Sequence, residues 1–405
     1  MNASPWYKAA SRMSAIAMSD IVKISEAVSE MKRQGENVIG LGTGEPDFDT
    51  PDNVLFAASK AMHLGETRYT PTAGTQELKA AICKAVERDN DLLIKPNQII
   101  VSNGAKQVLF NAFLATLNPD DEVIIPTPYW SSYIDMVSLC GGKPITIRCN
   151  SDNQFKLTAG DLAKAITPKT RWVLLNSPNN PSGATYSRKE MEEILNVLHF
   201  HPHVGLIADE IYQHLVYDDL EFLSALKIAP ALADRILIVN GVSKTYSMTG
   251  WRIGYGIGPT ALIDAMTTVQ TQVTGGACSI SQAAATAALS GPQFIVAERR
   301  KQFQFRRDLV VKALNQITGL ECQNPEGSFY VFPSCAGLLN QPTKTGERIL
   351  NDTEFCEYLI KKAGVAVVPG KAFGTPGYFR ISYAYSTKDL SEACSRIASA
   401  CAALF

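Results

Sequence analysis

The sequence predicts an α/β protein, with a large domain on a mostly parallel sheet and a smaller α+β domain. Three observations predict this. Helix-like and strand-like patterns alternate through most of the 405 residues, the order that gives parallel sheets covered by helices. The apolar runs between the helices are short, bounded by turn residues and free of alternation, as strands buried on both faces are. After about Gly291 the alternation gives way to a long charged helix and scattered short strands.

Taken in order, the first 20 residues carry little periodicity and are expected to form an arm lying on another surface. Ile21, Ile24, Val28 and Met31 recur at helical spacing, and Gly35 supplies a C-cap. Leu78, Ile82, Ala85 and Val86 repeat the pattern after Gly74. Strands are expected at 99–101, 123–125, 172–175, 205–208, 236–239 and 253–257. Gly254, Gly256 and Gly258 lie in the last of these patterns and Pro259 follows. No Gly-x-Gly-x-x-Gly enters a helix there, which argues against a dinucleotide loop. A helix near 298–314, strands near 328–332, 365–368 and 379–382, and a terminal helix complete the chain. There is no internal repeat, low-complexity tract or flexible linker.

Composition excludes several classes of function. Hydrophobic residues at 46% and charged residues at 19% describe an ordinary soluble globular protein. Balanced charge, 38 basic against 39 acidic residues, leaves no surplus for nucleic acid or anionic lipid. No stretch approaches the ~20 apolar residues of a membrane-spanning helix, and residues 1–20 lack the apolar run of a secretory signal. Nine cysteines without a CxxC pair fit free thiols in a reducing cytoplasm. The protein is therefore expected to be cytoplasmic, with no membrane or nucleic-acid partner. His199, His201 and His203 alternate as metal ligands do, but Pro202 interrupts them and no acidic or Cys partner is near, so no metal site is expected. No Gly-x-Ser-x-Gly elbow supports a hydrolase.

Ligands of an open parallel sheet bind beyond the carboxyl ends of its strands, so the polar residues that follow each apolar run matter most. The run 99–101 leads to Gly104 and Lys106 at a helix start, and the run 172–175 leads to residues 176–183, including Asn180. The run 205–208 leads to Asp209 and Tyr212, and 236–239 leads to Ser243 and Lys244. Each has a bland alternative: Asp209 as a helix cap, Lys244 as a surface lysine, Asn180 as a turn residue, Gly104 as a helix opener. Together they meet one requirement. An amine to form a Schiff base, a carboxylate to hold a ring proton, and helix N–H groups to cradle an anion converge on one rim.

That combination resembles the fold type I pyridoxal-phosphate (PLP) enzymes, specifically class I aminotransferases of the bacterial aspartate aminotransferase kind, the thermophile and rhizobial subgroup. Its most specific part is residues 241–254, with Ser243, Lys244 and Arg252 in the order of the family's PLP-lysine segment. Residues 42–48, 68–70, 128–130, 176–183, 209–212 and 379–382 add ordered matches over essentially the whole chain. The resemblance implies a large PLP-binding domain (48–303) with a mostly parallel seven-stranded sheet. It also implies a small α+β domain (21–47 with 304–405) and an N-terminal arm (1–20).

The resemblance further implies roles. Lys244 would form the Schiff base with PLP and move the substrate's proton, Asp209 would hold the pyridine nitrogen, and Tyr212 and Asn180 would hydrogen-bond the phenolic oxygen. Trp130 would stack on the ring. Gly104, Ala105, Ser243 and Arg252 would bind the phosphate, joined by Tyr69 from a neighbouring subunit, which makes the protein a homodimer with shared active sites. Arg380 would clamp the α-carboxylate of an amino-acid or 2-oxo-acid substrate, with Gly44 closing over it. Lys106, just past the phosphate cradle, would pair with the distal carboxylate of aspartate or glutamate. A like charge at the positive end of a helix is unfavourable without an anion. The implied reaction is ping-pong transfer from aspartate to 2-oxoglutarate. Another donor (aromatic, prephenate or arogenate, or a specialised amino acid) and a PLP lyase on the same fold are the alternatives. Subgroup members that transaminate prephenate carry Lys-Pro-Ser near the N-terminus, where this chain has Ala17, Met18 and Ser19. Thr43 and Thr245 to Ser247 also depart from the commonest spellings.

Overall fold

The computed structural model describes residues 8–16, 18–342 and 348–404. Residues 1–7 of the N-terminal arm, and Ala17 of the Ala17–Ser19 departure, lie outside the described residues. Seven strands build one sheet: β1 (Ile99–Asn103), β2 (Glu122–Thr127), β3 (Lys143–Arg148), β4 (Thr170–Asn176), β5 (Gly205–Asp209), β6 (Ile236–Gly241) and β7 (Ile253–Ile257). Their spatial order is β1-β7-β6-β5-β4-β2-β3. β7 runs antiparallel to both of its neighbours, and all other pairs are parallel.

The continuous apolar runs have a simple cause. Successive residues of each inner strand feed two different cores, one on each face of the sheet. Val173, Leu175, Ile236 and Ile238 join one core; Trp172, Leu174, Leu237 and Val239 join the other. With both faces covered there is no polar position to alternate with. β3 escaped the sequence analysis for the opposite reason. It is an edge strand paired only with β2, and Lys143, Pro144, Thr146 and Arg148 break its apolar character, as an edge permits.

The glycines of β7 serve packing. A Cβ on Gly254 would stand 2.1 Å from the backbone nitrogen of Ala105. The start of the helix Ala105–Thr116 therefore lies directly against β7, at the same end of the sheet as the other polar strand ends.

A second core gathers the C-terminal residues. The helix Phe294–Leu314 begins before the charged stretch that suggested it. Strands Val368–Pro369, Phe379–Ser382 and Tyr330–Val331 make a small antiparallel sheet with Phe379–Ser382 in the middle, and Ile39–Gly40 pairs in parallel with Val365–Ala366. Helices Asp352–Ala363 and Thr387–Ala402 pack Phe355, Leu359, Leu390 and Ile397 onto this core. Two buried arginines pin the long helix to its surroundings. Arg306 forks onto Asp47 at 2.6 and 3.0 Å, and Arg307 forks onto Asp218 at 2.6 and 2.8 Å. Among the described residues no helix is long and apolar enough to cross a membrane, and the nine cysteines are unpaired.

Candidate active site

The carboxyl ends of the strands open on a cavity of about 340 Å³. Asp209 is the last residue of β5 and Asn176 the last of β4. Lys244 stands three residues past the end of β6, and Trp130 three past the end of β2. Gly104 joins β1 to the helix Ala105–Thr116 with φ 84° and ψ 163°, a backbone region that is essentially glycine's alone. Arg380, on the middle strand of the small sheet, closes the cavity from the opposite side, together with Gly44 from the loop that Arg306 pins through Asp47.

Of the residues expected in a site, Gly44, Ala105, Lys106, Trp130, Asn180, Asp209, Tyr212, Ser243, Lys244, Arg252 and Arg380 all line this one cavity. Gly104 borders it: a Cβ there would stand 2.5 Å from Nη2 of Arg252. Tyr69 does not line it. Its side chain is fully exposed, at 106%, and contributes nothing to the cavity of its own chain.

The polar contacts within the cavity are specific. Lys244 Nζ donates to the carbonyl of Gly44 at 2.7 Å. Arg380 donates from Nη1 to Oδ1 of Asn180 at 2.7 Å and from Nη2 to the carbonyl of Gly42, with Tyr330 and Phe373 against its guanidinium at 4.5 and 4.9 Å. Among the described residues Arg252 donates only to the carbonyls of Thr249 and Asn103. Lys106 Nζ lies 4.8 Å from the centre of the Trp130 ring, a favourable cation–π placement. Asn176 donates to the carbonyl of Asp209 at 3.0 Å and accepts from the amide of Asn180 at 2.8 Å, tying two strand ends together.

Burial governs the titration of these groups. It brings Lys244 down to about 8, with Glu45 and Asp209 opposing the fall and Arg380 and Arg252 adding to it. It raises Asp209 to about 6, against the stabilising hydrogen bonds of Tyr133 and the Ile211 amide and the charge of Lys244. Burial, with help from Arg252, also lowers Lys106, while Asp135 pulls it back up. Tyr212 is pushed well above the ordinary phenol range by burial and by the adjoining Tyr330. An amine whose proton is held less tightly than an ordinary lysine's, in one cavity with a carboxylate, is an arrangement for nucleophilic addition to a carbonyl and for proton transfer.

Residues 36–397 match the family description "Aminotransferase class I and II". The chain belongs to that aminotransferase family. It is 56% identical to the aspartate aminotransferase of Rhizobium meliloti over 395 residues, covering 98% of this chain and 96% of that protein. The aspartate/prephenate aminotransferase of Cereibacter sphaeroides is 51% identical over 386 residues, 95% of this chain and 96% of the relative. Among solved structures, the Rhizobium meliloti aspartate aminotransferase superposes with a TM-score of 0.96 at 55% identity, covering 98% of this chain and all of that one. The Thermus thermophilus aspartate aminotransferase with maleate gives 0.91 at 37%, covering 97% and 100%.

Several residues of this aminotransferase cavity were missed by the sequence analysis. Tyr133 donates its hydroxyl to Oδ2 of Asp209 at 2.6 Å, Tyr330 shares a 2.9 Å hydroxyl contact with Tyr212, and Glu45 accepts from Thr249. Asn176 had a usable signal, since it ends an apolar run, as Asp209 does. Tyr133 had a weaker one, three residues beyond Trp130 in the first turn of the helix Ser132–Leu139. Tyr330 sits in an apolar stretch and had none.

Proposed function

We propose that the chain is a PLP-dependent aspartate aminotransferase, transferring the amino group of aspartate to 2-oxoglutarate to give oxaloacetate and glutamate. The observation that carries the proposal is the charge imbalance of the cavity. Lys106, Lys244, Arg252 and Arg380 face only Glu45 and Asp209, and among the described residues none of the four cations is in an ion pair. Four cations gathered in one cavity without counter-ions, one of them the buried Arg380, call for an anionic ligand. PLP together with a dicarboxylic amino acid supplies a phosphate, an α-carboxylate and a side-chain carboxylate.

The chain's own groups fit that cofactor. The absent Cβ of Gly104 leaves the helix start open beside Arg252, and helix N–H groups with an arginine favour phosphate. Nε of Arg380 is buried without a partner, which suits a further acceptor such as a carboxylate. When bound, PLP supplies an electrophilic carbon and an electron-accepting ring. Lys244, with its amine partly unprotonated near neutral pH, would attack the carbonyl and later carry the proton. Asp209 would hold the proton-bearing ring nitrogen, Tyr212 and Asn180 the phenolic oxygen, and Trp130 the ring face. Ala105, Ser243 and Arg252 would hold the phosphate. Arg380 and Gly44 would orient the α-carboxylate and Lys106 the distal one. In this scheme residues 48–303 carry the cofactor, residues 21–47 with 304–405 carry the Arg380 clamp, and residues 1–20 form an arm.

A cytoplasmic homodimer is part of the proposal. Leu55, Phe56, Met62 and Leu64, on and just after the helix Asp52–His63, are exposed close in sequence to the exposed Tyr69. An apolar patch of this kind suits a second copy, from which Tyr69 of the partner subunit would reach the phosphate. The test is a panel of amino donors with 2-oxoglutarate, repeated on Lys106→Ala. Aspartate is expected to be the preferred donor. The substitution should cut its kcat/KM by about 10- to 150-fold relative to alanine, the worth of one charge-assisted contact. Equal losses for both donors would end the case for a dicarboxylic substrate.

A further inference from the structure

Asp209 is 4% exposed and its carboxylate has few partners. Oδ1 accepts the amide of Ile211 at 3.2 Å, and Oδ2 accepts the hydroxyl of Tyr133 at 2.6 Å. Tyr133 is itself 2% exposed. A buried phenol needs an acceptor, and uncharged groups serve other tyrosines of this fold: Tyr217 donates to the Ser328 carbonyl, Tyr358 to the Ala400 carbonyl and Tyr246 to the Gln293 side-chain amide. Tyr133 instead aims at one of the two carboxylates that line the cavity. Its ring also stands edge-on to Trp130, with centroids 5.3 Å apart and planes at 89°, and its backbone amide bonds the Trp130 carbonyl at 3.0 Å. A span of four residues thus ties the aromatic wall of the cavity to the carboxylate at its floor.

We propose that Tyr133 is a positioning residue for Asp209, fixing the carboxylate's orientation and keeping the proton of the Asp209–ring hydrogen bond on the ring nitrogen. The proposal rests on the assignment of Asp209 to the pyridine nitrogen made above. The physical argument concerns basicity. A carboxylate in a fully buried place gains most by taking up a proton and becoming neutral. A donor on Oδ2 stabilises the anion and lowers its affinity for that proton. The other titratable groups facing Asp209 do not replace it. Tyr212 is engaged with Tyr330, Glu210 is an acid that adds to the repulsion, and Lys244 donates to Gly44. Without the Tyr133 hydroxyl the shared proton shifts towards Asp209, and the ring loses the positive charge that draws electrons.

The experiment uses holoenzyme loaded with PLP labelled with ¹⁵N at the ring, whose chemical shift reports where that proton sits. In Tyr133→Phe the signal should move towards the unprotonated value. Turnover should fall by about 10- to 100-fold, the worth of a hydrogen bond to a charged group, with KM for the amino donor within about twofold. Replacing Tyr133 by 3-fluorotyrosine keeps the shape but makes a stronger donor, and should move the signal the opposite way. Asp209→Asn should abolish the protonated signal. If Asp209→Asn does so while neither change at Tyr133 moves the signal, Tyr133 only packs and the proposal fails alone. If the ring nitrogen stays protonated in Asp209→Asn as well, the assignment of Asp209 fails and takes the proposal with it.

Discussion

Removing the charge of Lys244 should make the apoprotein more stable, although it destroys the proposed nucleophile. Burial depresses this amine from the ordinary 10.5 to about 8. In the unfolded chain it titrates near its ordinary value, so folding forces a protonated lysine into a place that disfavours its charge. The sign follows from linkage. Below pH 8 both states carry the proton and the folded state bears the full penalty. Between about 8 and 10.5 the folded state sheds its proton first and the penalty shrinks, and above 10.5 it is gone. At 1.36 kcal/mol per pKa unit the penalty is about 3 kcal/mol. Methionine at 244 keeps an unbranched side chain one atom shorter and without the charge. It also gives up the 2.7 Å hydrogen bond to the Gly44 carbonyl, a loss of about 1 kcal/mol. The net gain should be about 2 kcal/mol at pH 6, dwindling and reversing by pH 10.5. Urea unfolding of apo wild type and apo Lys244→Met at both pH values measures it. A variant no more stable than wild type at pH 6, or a difference that does not change with pH, would refute the claim that burial of this cation is what lowers its pKa.

Asp209→Ala should lower turnover by at least about 100-fold, because losing the partner of a buried charge costs about 3–5 kcal/mol and 1.36 kcal/mol is tenfold; turnover within tenfold of wild type would mean that Asp209 only packs. Gly104→Ala forces a side chain onto φ 84° and against Arg252 at 2.5 Å. Absorbance titration of the apoenzyme with PLP should show affinity weakened about 10- to 100-fold, and unchanged affinity would remove Arg252 from the phosphate site. Arg380→Ala should lower kcat/KM for aspartate and alanine by similar factors in steady-state assays, since each presents an α-carboxylate; a loss confined to one donor would contradict the clamp.

Legibility in the sequence followed from physical circumstance. Inner strands were readable because both faces are covered, so that Ile99 and Val101 enter one core while Ile100 enters the other and the run stays apolar. β3 was not, because an edge strand tolerates Pro144 and exposed charges. Asp209, Lys244 and Gly104 were readable because each closely follows an apolar run, where a parallel sheet presents its ligands. Tyr133 and Tyr330 were hidden because an aromatic residue is indistinguishable from core until its hydroxyl has a visible partner. Arg380 was legible only through a motif: nothing in the spacing of 379–382 says that the small sheet turns this strand towards the end of the large one.

The division of labour among the four cations follows from where each sits. Arg252 is bound to the Thr249 and Asn103 carbonyls, Arg380 to Asn180 and the Gly42 carbonyl, and Lys244 to Gly44, so three of them are held by polar contacts before any ligand arrives. Lys106 lies over the face of Trp130, and burial and Arg252 work against its charge with Asp135 opposing them in part. An amino acid with a single carboxylate leaves that ammonium as it was. In the proposed scheme a dicarboxylate would add a close counter-ion and offset the repulsion at the same time. Discrimination of this kind comes less from shape than from an unsatisfied charge that only one class of substrate relieves. It also predicts the direction of any relaxed variant. Neutralising Lys106 sacrifices aspartate and relieves the cavity of a surplus charge, so apolar donors should lose nothing and stand to gain.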